Sequence, residues 1–384
     1  MLAGVPKESF PGERRVALVP KDAAALTKAG LQLVIESGAA AAALHGDEEY
    51  EAQGARVETD RKRLFAEADI VLTVRGPGSH REFPKADLDA LKPGAAIVGF
   101  LDPLDDPAMT KALAERGLTL LSMELMPRIT RAQSMDALSS MATISGYKAV
   151  LLAANVAPRM FPMLMTAAGT VTAARVFVLG AGVAGLQAIA TARRLGGVVD
   201  GYDVRPAVKE QVESLGARFV VLDVKTDQAE SASGYAKAQS EEFYRRQQQL
   251  LGEHLRGMDV IITTAAVPGK KAPVLITTEM VAGLRPGTVI VDLAAERGGN
   301  CALTKPGETV DHRGVLILGP MNLPSEAPAH ASQLYSRNVA TFLAHLFKDG
   351  ALRLDDSDEI VSGTLVARGG KVVHPMVLQA LEGK

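Results

Sequence analysis

The sequence predicts an α/β protein: two Rossmann-like domains with mostly parallel sheets, joined by long helices, the first domain discontinuous. Three observations lead there. Short apolar runs alternate with helical stretches along most of the chain, the rhythm of βα units. The stretch Arg175 to Arg205 reads strand, glycine turn, helix, strand, acid. A long helical segment interrupts the rhythm in mid-chain, and 384 residues is long for one core.

In chain order, Val16-Ala17-Leu18-Val19 reads as a strand ending at Pro20, and Lys21 to Ala29 as a helix stopped by Gly30. Leu31 to Ile35 is a strand and Ala39 to Leu44 an alanine-rich helix. Ile70 to Val74 and Ala96 to Phe100 are strands, Asp106 to Arg116 a helix, Leu118 to Leu121 a strand. This first unit has no GxGxxG. Met126 to Ala154 begins as a polar loop and becomes a long helix that Ser134 or Asp136 could cap. Beyond the glycine turn, the strands are Arg218 to Leu222, Asp259 to Thr263, Thr288 to Asp292 and Val315 to Leu318. They are near-continuous apolar runs, as strands covered on both faces require. Ala329 to Phe347 is a helix pattern, and a short strand pair around Arg368-Gly369-Gly370 closes the chain. The domains are expected at 1–135 with 323–384, and at 140–319.

In the glycine turn, Val176 to Leu179 forms the strand and Gly180-Ala181-Gly182-Val183-Ala184-Gly185 the fingerprint. Gly180 allows the sharp turn. Gly182 lets a pyrophosphate approach the backbone. Gly185 lets helix and strand pack closely. The N-terminus of the helix Leu186 to Leu195 offers unpaired N–H groups to phosphate. Asp203, roughly 20 residues on, is placed to accept ribose hydroxyls, which favours NAD over NADP. Arg205 works against that preference, because an arginine there can serve a 2′-phosphate.

Composition excludes several classes. Hydrophobic content is 47% and aromatic content 4%, with no Trp, so the core is built on Ala, Val and Leu. A formal net charge of −2 argues against nucleic acid. One cysteine, Cys301, excludes an internal disulfide framework and a cysteine-cluster metal site. The seven histidines form no close pair, so no metal is expected. The opening MLAGVPKESFPGERR lacks the apolar core of a signal peptide. The most membrane-like region, Met160 to Ala192, is interrupted by Arg175 and the glycines, so no direct membrane insertion is expected.

Several polar groups carry two readings. Asp102, Asp105 and Asp106 read as solvated acids at a helix start. Arg14 or Arg15 reads by default as a salt-bridged surface residue, and alternatively as a carboxylate clamp. Arg128, Arg131, Gln133, Ser134, Asp136 and Ser139 fit either a polar helix start or a loop facing a dinucleotide. Ser231 to Ala236 fits a solvated loop, or a lid that lays Tyr235 over a cofactor.

The stretches VPKES…GERRVALVP, PRITRAQSMDALSSMATISGYKAV and VLGAGVAGLQAIATARRLGGVVDGYDVR resemble the NAD(H)-binding component, domain I, of proton-translocating nicotinamide nucleotide transhydrogenases. So do SGYAKAQSEEF, VIITTAAVPGKKAPVLIT, VIVDLAAERGGN and MNLPSEAPAHASQLYSRNVATFL. The resemblance covers nearly the whole chain, and alanine dehydrogenases share the two-domain fold. It implies that Arg128, Gln133 and Asp136 act at the nicotinamide ribose and in the transfer step, and that Ser139 holds the carboxamide. Gly180, Gly182, Val183 and Gly185 would cradle the pyrophosphate. Asp203, Val204 and Arg205 would hold the adenosine ribose. Gly234 and Tyr235 would sit on a mobile loop, and Gln247, Thr264 and Ala265 would line the nucleotide cleft.

The resemblance further implies NAD(H) as cofactor, with NADP(H) bound by a partner rather than by this chain. Partners would be a second copy in a homodimer, a membrane-spanning subunit and an NADP(H)-binding domain. The location would be cytoplasmic, peripheral on the cytoplasmic face of the membrane. The rival is an alanine dehydrogenase-type oxidoreductase, which needs a base because amine oxidation releases a proton. That family carries a lysine in the strand Leu72-Thr73-Val74-Arg75, a histidine at Asp102 and an aspartate at Glu296; its substrate arginine is matched by Arg15. A noncatalytic NAD-sensing module is the third reading.

Overall fold

The computed structural model describes residues 1–222, 241–266 and 269–382, without the side chains of 241–244. The chain forms two compact units, Met1–Met141 with Pro324–Lys384, and Ala142–Leu323. The boundary falls inside one 20-residue helix, Ala137–Val156.

Unit 1 holds an eight-stranded sheet. Its order is Lys371–Val372, Leu365–Arg368, Thr119–Ser122, Ala96–Phe100, Ile70–Arg75, Leu2–Val5, Gln32–Glu36, Arg56–Glu58. The six strands from Thr119–Ser122 to Arg56–Glu58 are parallel, and the C-terminal pair is antiparallel. The first strand in the chain is therefore central, and the winding reverses on either side of it. Apolar alternation does not mark Leu2–Val5. Its Gly4 is there for packing: a Cβ would lie 2.9 Å from Ala68 Cβ and Leu64 Cδ2, where the helix Arg61–Glu67 crosses.

The expected strand at Val16 to Val19 is not a strand. The segment is buried but pairs with no other strand. Its amides go to side chains instead: Val16 N–H donates to Ser332 Oγ at 3.0 Å and Val19 N–H to Ser336 Oγ at 2.9 Å. Both serines sit on the helix Pro328–Leu346, and Tyr50 Oη donates to the Leu18 carbonyl at 2.7 Å. Burial alone produced the apolar run, and a serine ladder meets the hydrogen-bonding requirement that a sheet would otherwise meet. The alanine-rich segment is a short 3-10 turn, Ala41–Ala43, and a further helix, Pro375–Glu382, follows the last strand pair.

Unit 2 holds a seven-stranded sheet: Arg218–Phe219, Val198–Tyr202, Arg175–Leu179, Val260–Thr263, Val289–Asp292, Val315–Leu318, Thr309–His312. All neighbours are parallel except the last pair. Successive residues alternate between two cores. Val176, Val178, Val260, Ile262, Val289 and Val291 face one, with Ala188, Ile189 and Ala192 of the helix Val183–Arg194. Phe177, Leu179, Ile261 and Ile290 face the other, with Leu251 and Leu255 of the helix Glu241–Leu255. The first strand is again central. The strand expected over Arg218 to Leu222 is only Arg218–Phe219.

The region Met160 to Ala192 contains a hairpin, a strand and most of a helix. Among the described residues, one helix is long and apolar enough to cross a membrane: Ala137–Val156. Its Ala149, Val150 and Ala153 are fully buried in the unit 2 core, so its apolar character has a packing cause.

Ser336 also donates to Asp22 Oδ2 at 2.8 Å, at a fully buried position. Ser336→Ala leaves the Val19 amide and the Asp22 carboxylate each one partner short. It should lower unfolding stability by about 1–3 kcal/mol. Chemical denaturation of parent and variant measures this, and unchanged stability would mean that the serine ladder does not hold the segment.

Candidate functional site

The parallel register of unit 2 puts Leu179 opposite both Tyr202 and Thr263, and Thr263 opposite Asp292. The residues that follow those strand ends, Gly180, Asp203 and Thr264, therefore emerge along one edge of the sheet. This is the edge where open α/β sheets bind ligands, beside the central strand where the winding reverses. Gly180 has φ +102°, which a side chain rarely adopts. A Cβ on Gly185 would lie 1.8 Å from the Gly180 carbonyl oxygen, so only glycine lets the helix seat there. Gly182 is the N-cap of that helix, and a Cβ on it would meet nothing within 4 Å. The three glycines thus serve conformation, packing and open access separately. A helix N-terminus capped by glycine, with open space over it, fits a pyrophosphate.

Asp203 is more enclosed than its spacing suggests. Its carboxylate accepts from Ala181 N–H at 2.8 Å and, at 2.9 Å each, from Arg205 N–H, Nε and Nη2. Arg205 thus neutralises the carboxylate that would repel a 2′-phosphate, and a ribose diol at Asp203 must share or displace these bonds. Val204 packs partly buried against the Phe177 core.

Thr264 donates to the Gly180 carbonyl at 3.1 Å, tying the second strand end to the glycine turn. Ala265 is clamped by Asn300, whose Oδ1 accepts from Ala265 N–H at 2.9 Å and whose Nδ2 donates to the Ala265 carbonyl at 2.8 Å. Asn300 in turn rests on Asp292. That fully buried carboxylate accepts from Thr263 Oγ1, Ala294 N–H, Asn300 N–H, Cys301 N–H and Thr304 Oγ1, at 2.6–3.0 Å. Sequence reading assigned Asp292 and Asn300 no role. The available signal was an acid ending an otherwise apolar strand and a polar residue after paired glycines. Gln247 is fully buried and donates from Nε2 to Tyr202 Oη at 2.9 Å, so its side chain stands behind the cleft rather than open to it. Gly234 and Tyr235 lie outside the described residues.

In unit 1, Thr130–Met135 is a 3-10 turn that leads into the long helix. Asp136 caps that helix, accepting from Ser139 N–H at 2.9 Å and Ser139 Oγ at 2.6 Å. Ala132 and Met135 are buried, Asn338 Nδ2 donates to the Ser134 carbonyl at 2.9 Å, and Arg131 pairs with Asp358 at 2.8 Å. These anchors leave the side chains of Arg128 and Gln133 exposed on a fixed turn.

Unit 1 also gathers buried charge. Arg15 is not a surface arginine: it is 3% exposed and its Nε and Nη2 reach Glu13 at 2.7 and 2.6 Å. Glu8 accepts from Val74 N–H at 2.6 Å and from Arg75 N–H and Thr73 Oγ1 at 3.1 Å. Burial, reinforced by the Glu13 charge, pushes the Glu8 carboxyl up to about 7. Burial and neighbouring Asp102 do the same at Glu124, also to about 7. Of the acids read at the helix start, Asp106 caps Pro107–Glu115, Asp105 pairs with Arg81, and Asp102 takes φ +43°. No cluster of potential metal ligands occurs among the described residues.

Residues 4–145 match the family described as alanine dehydrogenase/PNT, N-terminal domain, and residues 149–375 its C-terminal domain. The chain is 47% identical to an NAD(P) transhydrogenase subunit alpha chain of Rhodospirillum rubrum, over 98% of each chain. A crystal structure of transhydrogenase from Sinorhizobium meliloti superposes with a TM-score of 0.86 at 44% identity, covering 97% of this chain and 100% of that one. An L-alanine dehydrogenase structure superposes with a TM-score of 0.82 at 25% identity, covering 100% and 99%.

Two outcomes are expected here. Gly182→Ala should leave thermal stability nearly unchanged yet weaken dinucleotide binding by at least about tenfold, because its Cβ fills only open space where phosphate belongs. Gly185→Ala should instead destabilise the fold. Calorimetric binding and thermal unfolding of both variants separate the two roles, and equal effects on both readouts would merge them. Glu8 provides the second. A carboxyl whose folded pKa lies above its unfolded value holds its proton more tightly when folded, so stability rises as pH falls from about 7 towards 4.5. The stability of the parent relative to Glu8→Gln should therefore be greater at pH 5 than at pH 8, by about 1–3 kcal/mol. A pH-independent difference would contradict the assignment.

Proposed function

The chain belongs to the alanine dehydrogenase/PNT family, and on that premise we propose that it is the NAD(H)-binding component of a proton-translocating transhydrogenase, holding NADH for direct hydride transfer to NADP+ on a partner domain. One observation carries this reading over the amino-acid dehydrogenase reading: the full-length similarity to a transhydrogenase chain, at 47% identity, against 25% for the alanine dehydrogenase structure. The chemistry agrees. Arg75, Asp102 and Glu296 stand where the dehydrogenases carry lysine, histidine and aspartate, and Arg15 already engages Glu13.

Bound NADH would supply the hydride. The chain's own contribution is then binding and orientation, since no proton moves at the reacting carbons and near-attack geometry supplies the rate. The amides after Gly182 and the open face of that glycine would hold the pyrophosphate. Asp203, Val204 and Arg205 would hold the adenosine ribose, with Thr264 and Ala265 fixed beside the glycine turn. We assign Arg128, Gln133 and Asp136 to the nicotinamide ribose and the transfer step, and Ser139 to the carboxamide. Asp136 and Ser139 bond to each other, so a preformed polar pair is offered. Gln247 would act through Tyr202. Gly234 and Tyr235 are proposed to cover the nucleotide.

The proposed partners are a membrane-spanning subunit, an NADP(H)-binding domain and a second copy of the chain, with the assembly on the cytoplasmic face of the membrane. The hairpin of Leu164–Thr166 and Gly169–Val171 supports self-association. It leaves Met163, Leu164, Met165 and Val171 exposed, Met165 by 78%, which is unusual for large apolar groups on one short arm.

Mixed with an NADP(H)-binding transhydrogenase domain, the chain should support NADH-dependent reduction of NADP+. Gln133→Asn should slow that transfer at least about tenfold while leaving NADH affinity within about twofold, because a positioning residue acts on the transition state. Tight NADH binding without transfer in the mixture would defeat the proposal. Rapid NAD+ reduction by alanine with the chain alone would favour the dehydrogenase reading.

A further inference from the structure

Unit 1 is wound about Leu2–Val5 as unit 2 is wound about Arg175–Leu179, so it too has a crevice where the winding reverses. Ligands of open α/β sheets bind at that place, outside the carboxyl ends of the strands. In unit 1 the chain's own carboxylates stand there. The segment leaving Val5 sends Glu8 across the end of Ile70–Arg75, where it takes the amides of Val74 and Arg75. Farther along, Glu13 meets Arg15 in a two-pronged pair, Nε to Oε1 at 2.7 Å and Nη2 to Oε2 at 2.6 Å. The Arg15 and Glu13 side chains are 3% and 0% exposed. A second guanidinium, Arg75, places Nε 4.0 Å from Glu13 Oε2 and lies over the Phe10 ring, 4.3 Å from its centroid.

This is the geometry by which proteins bind a carboxylic acid: a planar guanidinium fork, a second cation and an aromatic wall, shielded from water. We propose that the unit 1 crevice is a receptor for a small monocarboxylate, and that Glu13 holds it shut by presenting its own carboxylate to Arg15. The group that Glu13→Ala removes is a CH2–COO⁻, which has the size and charge of acetate. Cutting Glu13 back therefore leaves a buried guanidinium facing an acetate-sized space. An unpaired buried charge destabilises the fold strongly, so an added carboxylate should bind there and restore stability. The residues involved all belong to unit 1, and the readout needs no nucleotide, so failure here leaves the hydride-transfer proposal standing.

The test uses the full chain, its Glu13→Ala variant and the double variant Glu13→Ala with Arg15→Met. Thermal unfolding is followed in sodium acetate against sodium chloride of equal ionic strength, with neutral acetamide as a further control. The expected result is a rise in Tm of about 2–4 °C or more for Glu13→Ala in acetate alone. The parent should show no acetate-specific shift, and the double variant should lose it. If Glu13→Ala is recovered unfolded, refolding is attempted in acetate and in chloride, and recovery in acetate alone supports the receptor. Equal behaviour in acetate and chloride overturns the proposal, and so does an acetate shift that survives Arg15→Met. An acetate-specific shift in the parent would overturn the claim that Glu13 holds the crevice shut.

Discussion

A parallel sheet buried on both faces can offer a ligand only the ends of its strands. That constraint organises both units of this chain. In unit 2, Val176 and Phe177 already face opposite cores, so no side chain in the middle of the central strand remains for solvent. Polar work moves to the residue after each strand. Gly180, Asp203 and Thr264 become one site because parallel register aligns Leu179, Tyr202 and Thr263. The close seat of the helix on Gly180, which only glycine at position 185 permits, then brings the N-terminal amides to the same edge.

Such an edge is useful only if it is rigid. The chain stiffens it with buried acceptors. Asp292 gathers amides and hydroxyls from both sides of the strand end, and Asn300 carries that order to Ala265. A buried carboxylate satisfied this fully costs little desolvation beyond what its bonds return, and it fixes a loop that would otherwise sample many conformations. Asp136 does comparable work at the start of the long helix, where one carboxylate takes both the amide and the hydroxyl of Ser139. In each place the acid shapes a binding surface and needs no part in proton transfer.

Unit 1 shows the same architecture with its edge occupied from within. Glu8 and Glu13 supply the negative charge that a ligand would supply elsewhere, and Arg15 and Arg75 receive it. The cost of burying these charges is visible at Glu8, which is pushed towards neutrality. A crevice of this kind tells against amine oxidation in this chain, because the arginine that would orient a substrate carboxylate is already paired.

The sequence by itself determined the class of fold, the glycine turn, its acid, and the helix cap at Asp136, because each is local: a turn, a cap or a strand writes its requirement into neighbouring residues. It also carried the resemblance that names the loop at Arg128 to Ser139. Three matters were decided only by tertiary structure. Val16 to Val19 is apolar like a strand, yet Val16 bonds to a serine 316 positions away. Leu2–Val5 is central yet too short and glycine-interrupted to show a pattern. Arg15 and Arg205 look like ordinary charges, yet each closes on a nearby acid in surroundings built from distant segments. Composition can require that a buried amide or charge find a partner, but which partner it finds depends on the folded path of the chain.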